Sequence, residues 1–320
     1  MQAKHVLIVS PASARENNGN WQTASRWSHF LRTRHRVAVA PGLDPELAPD
    51  LLIALHARRS AAALANFTEA WPERPSVLVL TGTDLYRDIE IAPEARRSLD
   101  LATRLVLLQP AGLSALTPAQ RTKASVIYQS APTMQPASHG IKRRHFDVCM
   151  IGHLRAEKDP YTFMRASTLV NSPRVRLLHI GGALESTLGQ AASATQAVNP
   201  RYHWLGALPH STTRQRLARS HAMALCSLME GGANVIIEAV TSGVPVLASD
   251  ISGNRGMLGE DYAGYFPVGE AAALARLIDR SIDDPAFYAL LQQQCALRAT
   301  LFTPDAERAS LLNLVDNLFQ

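Results

Sequence analysis

One pattern governs what this chain can become: short apolar runs of four to six residues, rich in β-branched side chains, alternate with segments whose apolar residues recur at helical spacing. Over the first 130 residues the runs are HVLIV (5–9), RVAVA (36–40), LLIAL (51–55), SVLVLT (76–81), RLVLL (104–108) and SVIY (125–128). A strand with one wet face alternates apolar and polar residues, whereas a strand covered on both faces is apolar throughout. These runs are of the second kind and helical segments separate them, so they predict a parallel sheet with helices on both faces. Between the first two runs, Trp21, Ala24, Trp27 and Leu31 fall on one helical face, which suits core packing.

The pattern lapses over APTMQPASHGIKRRHF (131–146), a stretch rich in Pro, Ser and charge that reads as an interdomain linker. It restarts with DVCMIG (147–152), VRLLHI (175–180), RYHWL (201–205), MALCSL (223–228), VPVLAS (244–249) and a short GYFPV (264–268). The fold class is therefore α/β, built from two doubly wound, Rossmann-like domains, and 320 residues suit two units of about 150 each. The expected division assigns residues 1–140 to an N-terminal domain and 146–300 to a C-terminal one. Sheets of this kind take ligands outside the carboxyl ends of their strands, so two in series place a ligand cleft between those ends.

Composition narrows the function. With 47% apolar and 18% charged residues the chain reads as ordinary globular protein, and no uncharged run approaches the roughly 20 residues of a membrane span. The apolar part of MQAKHVLIVS is too short for a signal peptide, so the expected location is cytoplasmic. Cys149, Cys226 and Cys295 are isolated, with neither CxxC nor Cys/His metal spacing, which predicts buried reduced thiols and no metal site. The net charge of +5 is dispersed; its only dense cluster, Lys142-Arg143-Arg144, falls in the linker, and no nucleic-acid partner is expected. A modest positive balance also suits a site that gathers small anions.

The segment EGGANVIIE (230–238) carries the first sign of chemistry. Glycine inside a helix costs roughly 1 kcal/mol relative to alanine, so Gly231 and Gly232 belong ahead of the helix that follows. That helix is expected to begin near Asn234, a good N-cap residue. The turn lets the amides of Gly231, Gly232, Ala233, Asn234 and Val235 approach a ligand closely, and the helix N-terminus adds about half a positive charge. The combination is a diphosphate cradle. Glu238, one turn into the helix, reaches outward to hydroxyls, while Glu230 in the loop borders the reacting centre. Two glutamates eight apart also arise by chance; what carries the reading is the order of strand, glycine turn and helix, followed by SGVPV (242–246) leading the next strand.

On these residues EGGANVIIEAVTSGVPVLASD resembles the E-x7-E segment of nucleotide-sugar-dependent glycosyltransferases of the GT-B fold, in the large family four of retaining enzymes. The likeness spans most of residues 147–250. That family opens its second domain with a strand ending in Gly, then a basic residue and a Lys that grip the donor diphosphate; Gly152, Arg155 and Lys158 match. The resemblance thus implies catalytic roles for Arg155, Lys158 and Glu230, and donor binding by Gly152, the 231–235 amides and Glu238. YHWLGALP (202–209) resembles the family's base-binding strand and loop, where the backbone near Leu205 pairs with uracil; Trp204 fits both a core position and a stacking platform. Also implied are two domains facing across a cleft and a final helix, about 302–320, that crosses back onto the first domain with Leu311, Leu312, Val315 and Leu318 at helical spacing.

In the first domain, PASARENNGNWQTASRW (11–27) together with LTGTDLYRD (80–88) resembles the selenosugar synthases of selenoneine biosynthesis, which join a nucleotide-activated hexose to selenophosphate. Asn17-Asn18-Gly19-Asn20 stands where the wider family has a glycine loop, and Thr81-Gly82-Thr83-Asp84 ends a strand. The implied acceptor site is Gly19, Asn20, Thr23, Thr81, Thr83 and Asp84, with Arg26 and Arg87 as anion partners or plain surface. TGTD also fits a turn with an Asx cap. Many family members carry His where this chain has Thr83 or Asp84, a loss that selenophosphate tolerates because it is already a strong nucleophile.

The activity so implied uses UDP-N-acetylglucosamine or UDP-glucose as co-substrate, with no metal or other cofactor, in a functional link with selenophosphate-producing and selenoneine-forming enzymes. A family-four transferase acting on a hydroxyl acceptor, a sugar-nucleotide 2-epimerase and a non-catalytic nucleotide-sugar-binding module stay open beside it. An NAD-binding reading fails, since no GxGxxG follows the first strand of either series.

Overall fold

The structure, a computed structural model, describes residues 2–13, 19–134 and 144–320. Asn17, Asn18, Lys142, Arg143 and the centre of the expected linker, 135–143, lie outside the described residues. The first series of apolar runs forms β1 (His5–Val9), β2 (Arg36–Ala40), β3 (Leu51–Leu55), β4 (Ser76–Leu80), β5 (Arg104–Leu107) and β6 (Ala124–Val126). The second forms β7 (Phe146–Ile151), β8 (Val175–Ile180), β9 (Tyr202–Trp204), β10 (Ala222–Leu225), β11 (Val246–Ser249) and β12 (Tyr265–Phe266). Each series makes one six-stranded sheet, ordered β2-β1-β3-β4-β5-β6 and β12-β11-β10-β7-β8-β9, and the strand pairs are parallel throughout. The chain divides into two compact units, Met1–Ser130 with Pro304–Gln320, and Ala131–Thr303.

In the first unit, alternate residues of one strand fill separate cores. Leu7 and Val9 pack with Leu52, Phe67 and Leu78 on one face of the sheet, Val6 and Ile8 with Leu51, Ile53, Trp27 and Leu31 on the other. Covered on both sides, β3 and β4 are buried along their whole length, which is why their sequences are apolar without alternation. Helix α1 (Gly19–Leu31) contributes Ala24, Trp27 and Leu31 to that second core, and the last helix, Pro304–Leu318, adds Leu311, Leu312 and Val315 to it.

Most strands end a residue or more from their predicted bounds, and in two of them the local reason is plain. β4 stops at Leu80 rather than Thr81, because the Thr81 N–H bonds the Asp84 carboxylate instead of a neighbouring strand. β11 starts at Val246 rather than Val244, since Pro245 has no N–H for a ladder and Gly243, at φ 69°, turns the chain just before it. The three cysteines are free and buried, and burial pushes the Cys149 thiol up to about 12. No helix among the described residues is long and apolar enough to cross a membrane.

The second unit's core holds a titratable group. His179 of β8 is fully buried, its Nδ1 2.9 Å from the Tyr202 hydroxyl, and burial pushes the imidazole down to about 4. The unfolded chain takes up that proton near 6.5. Stability carried by the neutral ring is therefore complete above about pH 6.5 and is lost as pH falls toward 4, by about 2 kcal/mol at pH 5. Urea unfolding at pH 7.5 and pH 5 checks this: His179→Gln should show a smaller drop in stability between the two than the parent chain, and an equal drop would place the protonation elsewhere.

Candidate functional site

In the second sheet β7 lies between β8 and β10, so the connections leave in opposite directions from β7 and β10. In doubly wound folds the crevice at the carboxyl ends of two such strands is where ligands bind. The segment after β7 is drawn close to its neighbours: a Cβ at Gly181 would stand 1.9 Å from the Gly152 carbonyl, a separation only glycine allows. The chain continues through Arg155, exposed, into a 3-10 turn, Ala156–Lys158, whose first amide bonds the Glu185 carboxylate at 2.7 Å. Asp159 then adopts φ 42° and caps the helix Pro160–Leu169 through the Thr162 amide, a sharp junction that turns Lys158 back over Gly152. A Cβ at Gly152 would lie 3.5 Å from the Lys158 stem.

The segment after β10 meets this turn. The Leu228 N–H bonds the Glu157 carbonyl at 2.9 Å, and two residues on, Lys158 Nζ donates to Glu230 Oε1. Both side chains are largely shielded, at 14% and 11% exposure, so the pair is held in a setting where charge interactions are weakly screened. Glu230 is fixed from behind by the helix Ser252–Leu258: a Cβ at Gly253 would stand 1.9 Å from the Glu230 carbonyl. Gly253 was not singled out from sequence, for its requirement comes from a contact with a loop far away in the chain.

The helix after the glycine turn is Asn234–Thr241, with Ala233 at its N-cap. This corrects the expectation for Asn234, which is the first helical residue and not the cap. Ala233 has no side chain to bond the first amides, so the amides at this end have no capping oxygen from that residue, the condition an anion site needs. Glu238 does not extend freely outward: His210 Nε2 lies 2.7 Å from its Oε1, and the carboxylate is 13% exposed. Hydrogen bonding to Glu238 raises the pKa of His210. His210 lies 28 positions upstream and belongs to no local motif, so nothing in the sequence marks it.

At β9, the Leu205 N–H is taken by the His179 carbonyl at 2.8 Å, so a base can pair at Leu205 only through its carbonyl. The Trp204 indole N–H bonds the Gly181 carbonyl at 2.8 Å and ties that ring edge to the turn after β8.

In the first unit the expected acceptor residues separate into two kinds. Gly19 opens α1 and is exposed, and Asn20 follows it, half-buried. Thr23, by contrast, is 1% exposed; its hydroxyl donates to the Gly19 carbonyl and accepts from Gln129. Asp84 is likewise fully buried, and its carboxylate accepts from the amides of Ala57, Thr81 and Gly82 at 2.7 to 2.9 Å. These two build the turns and do not face open space, so neither of these expected acceptor residues presents its side-chain oxygens to a ligand. The Asp84 carboxylate closes the turn backward onto Thr81 and Gly82, and no side chain caps the helical segment that follows. Thr81 and Thr83 stay half-buried at the carboxyl end of β4, and His56 Nε2 stands 3.2 Å from Thr83 Oγ1, so a histidine from the end of β3 supplies an imidazole that the segment 80–88 lacks. Arg26 is bound to the buried Glu307 and Arg87 to Asp88. Among the described residues no group of three or more His, Cys, Asp or Glu is placed to hold a metal ion.

The profile of the family described as "Glycosyl transferases group 1" matches residues 133–299, more than half of the chain. No curated protein matches the sequence significantly. Among solved structures, the Anabaena protein HepE (Alr3699), crystallised in complex with UDP and glucose, is similar with a TM-score of 0.78 and 18% identity, covering 98% of this chain and 100% of that one. A sucrose-phosphate synthase from Thermosynechococcus elongatus gives a TM-score of 0.80 at 16% identity, over 100% of this chain and 99% of the other. A glycosyltransferase from Rickettsia africae gives 0.77 at 12%, over 100% of both. At such identities the likeness concerns the fold, which is GT-B.

Proposed function

The chain belongs to the group 1 glycosyl transferases, and we propose that it moves a hexose from UDP-N-acetylglucosamine or UDP-glucose to selenophosphate, releasing UDP. The observation that carries the donor half is the meeting of Lys158 with Glu230 at the switch point of the second sheet, beside a helix start with no side-chain cap. In the reaction the selenium lone pair attacks the anomeric carbon while the bond from that carbon to the β-phosphate oxygen breaks, and UDP leaves with the electron pair. Arg155, Lys158 and the 231–235 amides meet the charge that develops on the diphosphate, so no metal ion is required. The UDP and glucose in the HepE crystals support the nucleotide, and the likeness of 11–27 and 80–88 to selenosugar synthases supports the acceptor.

Mass spectrometry of products from UDP-N-acetylglucosamine, with selenophosphate, thiophosphate or phosphate supplied in parallel, tests the whole reading. A selenosugar product is expected. Efficient glycosylation of an ordinary alcohol with none of selenophosphate would leave a hydroxyl-directed transferase, and absence of UDP release with every acceptor would leave a binding module. Within the site, Glu238→Ala should chiefly raise the KM for donor, because a carboxylate on ribose hydroxyls acts alike in ground and transition states. Glu230→Gln should chiefly lower kcat. The opposite split, read from steady-state kinetics at varied donor, would exchange the two roles.

A further inference from the structure

Glu238 stands on the helix Asn234–Thr241 between two buried residues, Ile237 and Ala239, and its own carboxylate is 13% exposed. A glutamate turns about three bonds, and a ligand that must freeze such a side chain loses affinity in doing so. Here the side chain is already held. His210 Nε2 lies 2.7 Å from Oε1, while among the described residues Oε2 carries no hydrogen bond. A carboxylate has about four acceptor positions, so after His210 takes one, enough remain for two vicinal hydroxyls.

His210 is itself well anchored. It opens the helix His210–Arg219 directly after Pro209, whose ring fixes φ near the observed −54°. The first turn is closed by the Thr213 N–H on the Pro209 carbonyl at 2.9 Å. That helix sinks Thr213, Leu217 and Ala218 into the core, and Arg214, 9% exposed, donates from Nη2 to the Pro132 carbonyl at 2.6 Å. The hydrogen bond to Glu238 raises the His210 pKa, against burial and the Arg214 charge. Nε2 therefore carries hydrogen both in the imidazolium and in the neutral tautomer that the carboxylate selects. With the His210 side chain 48% exposed, the pair adds little to stability, so its consequence is to hold Glu238 in one orientation.

We propose that His210 is a positioning residue for the ribose of the donor nucleotide: by holding Oε1 of Glu238 it presents the carboxylate, already ordered, to the two hydroxyls of that sugar. This rests on the reading of Glu238 as the ribose carboxylate, and it adds a residue 28 positions upstream that makes that carboxylate effective.

The test is calorimetric titration of UDP and of 2′,3′-dideoxyuridine diphosphate into the full chain and its variants, each checked by thermal melting. The parent chain should prefer UDP by about tenfold or more, the effect of hydroxyls bonded to a charged group. His210→Ala should weaken UDP by about three- to tenfold and leave the dideoxy nucleotide within about twofold, so the preference shrinks. A merely structural defect would weaken both nucleotides alike. His210→Gln, whose amide N–H reaches about as far as Nε2, should restore much of the preference. Because His210 acts through Glu238, the double variant His210→Ala, Glu238→Ala should bind UDP no worse than Glu238→Ala alone. In steady-state kinetics His210→Ala should raise the KM for donor and leave kcat within about twofold.

The outcomes separate the two roles. If Glu238→Ala abolishes the preference for UDP while His210→Ala leaves it intact, or if the losses of the two variants add in full, the positioning role falls and the ribose role of Glu238 stands. If the parent chain binds both nucleotides equally, Glu238 does not hold the ribose and both roles fall.

Discussion

Lys158→Ala is expected to lower turnover at saturating donor by about 10²-fold or more, the usual cost of removing one positioned donor from a developing charge. The size follows from placement. Lys158 is 14% exposed, its stem lies over Gly152, and its ammonium is already held at the switch point by Glu230. A cation in that position is worth more to a departing diphosphate than one in bulk water, because screening there is weak. Arg155 is exposed on the same turn and should cost less, roughly tenfold, since charges in water are largely screened. Lys158→Arg keeps the charge but brings a planar fork where a point charge fits, and is expected to recover only part of the rate. Rapid-quench measurement of UDP release, with melting to confirm folding, decides the matter. A Lys158→Ala chain turning over at a near-normal rate would show that the diphosphate does not sit there.

The architecture was legible because covering a sheet on both faces leaves a mark on consecutive residues: β3, LLIAL, has no polar position to hide. Strand ends were less so. Thr81 reads as a continuation of SVLVL, and only the Asp84 carboxylate, itself placed by the Ala57 amide, takes its N–H out of the ladder. The meeting of the two expected donor segments was readable for the same reason as the fold. Each follows a single strand in an unbroken run, Gly152 to Lys158 and Glu230 to Glu238, so local order marked both even though Lys158 and Glu230 are 72 positions apart.

The surroundings of the expected acceptor residues were not. Thr23 and Asp84 are polar residues in loops near strand ends, which is how ligand-binding residues look, yet their partners are Gln129 and the amide of Ala57, remote positions that no spacing rule connects. The same remoteness hid His56 and His210. A lone histidine has no motif, and each acquires its role from one side chain, Thr83 or Glu238, that folding brings within bonding distance.

Glu307→Ala is expected to destabilise the first unit by about 3–5 kcal/mol, the range for breaking a buried ion pair by removing one partner. The Glu307 side chain is 0% exposed, yet it accepts two N–H groups of Arg26, at 2.6 and 3.0 Å, the indole N–H of Trp27 at 2.8 Å, and the Ser130 hydroxyl at 2.5 Å. It therefore fastens the last helix to α1 and to the residue at which the chain leaves this unit. Truncation leaves Arg26, only 18% exposed, without its counter-charge and Trp27 with a buried donor unpaired, which water cannot reach without opening the core. For a unit of this size a loss of that order lowers the melting temperature by roughly 10 °C. Glu307→Gln keeps an acceptor for Trp27 and should cost less. The double variant Arg26→Leu, Glu307→Leu should recover part of the loss, since apolar side chains can replace a buried pair more cheaply than half of it can stand alone. Urea unfolding followed by tryptophan fluorescence measures all three. If Glu307→Ala changes stability by less than about 1 kcal/mol, the level of an exposed pair, the carboxylate is not the clamp that this geometry makes it, and the last helix must owe its place to its apolar face, with Leu311, Leu312 and Val315, and to the Arg34–Asp316 pair.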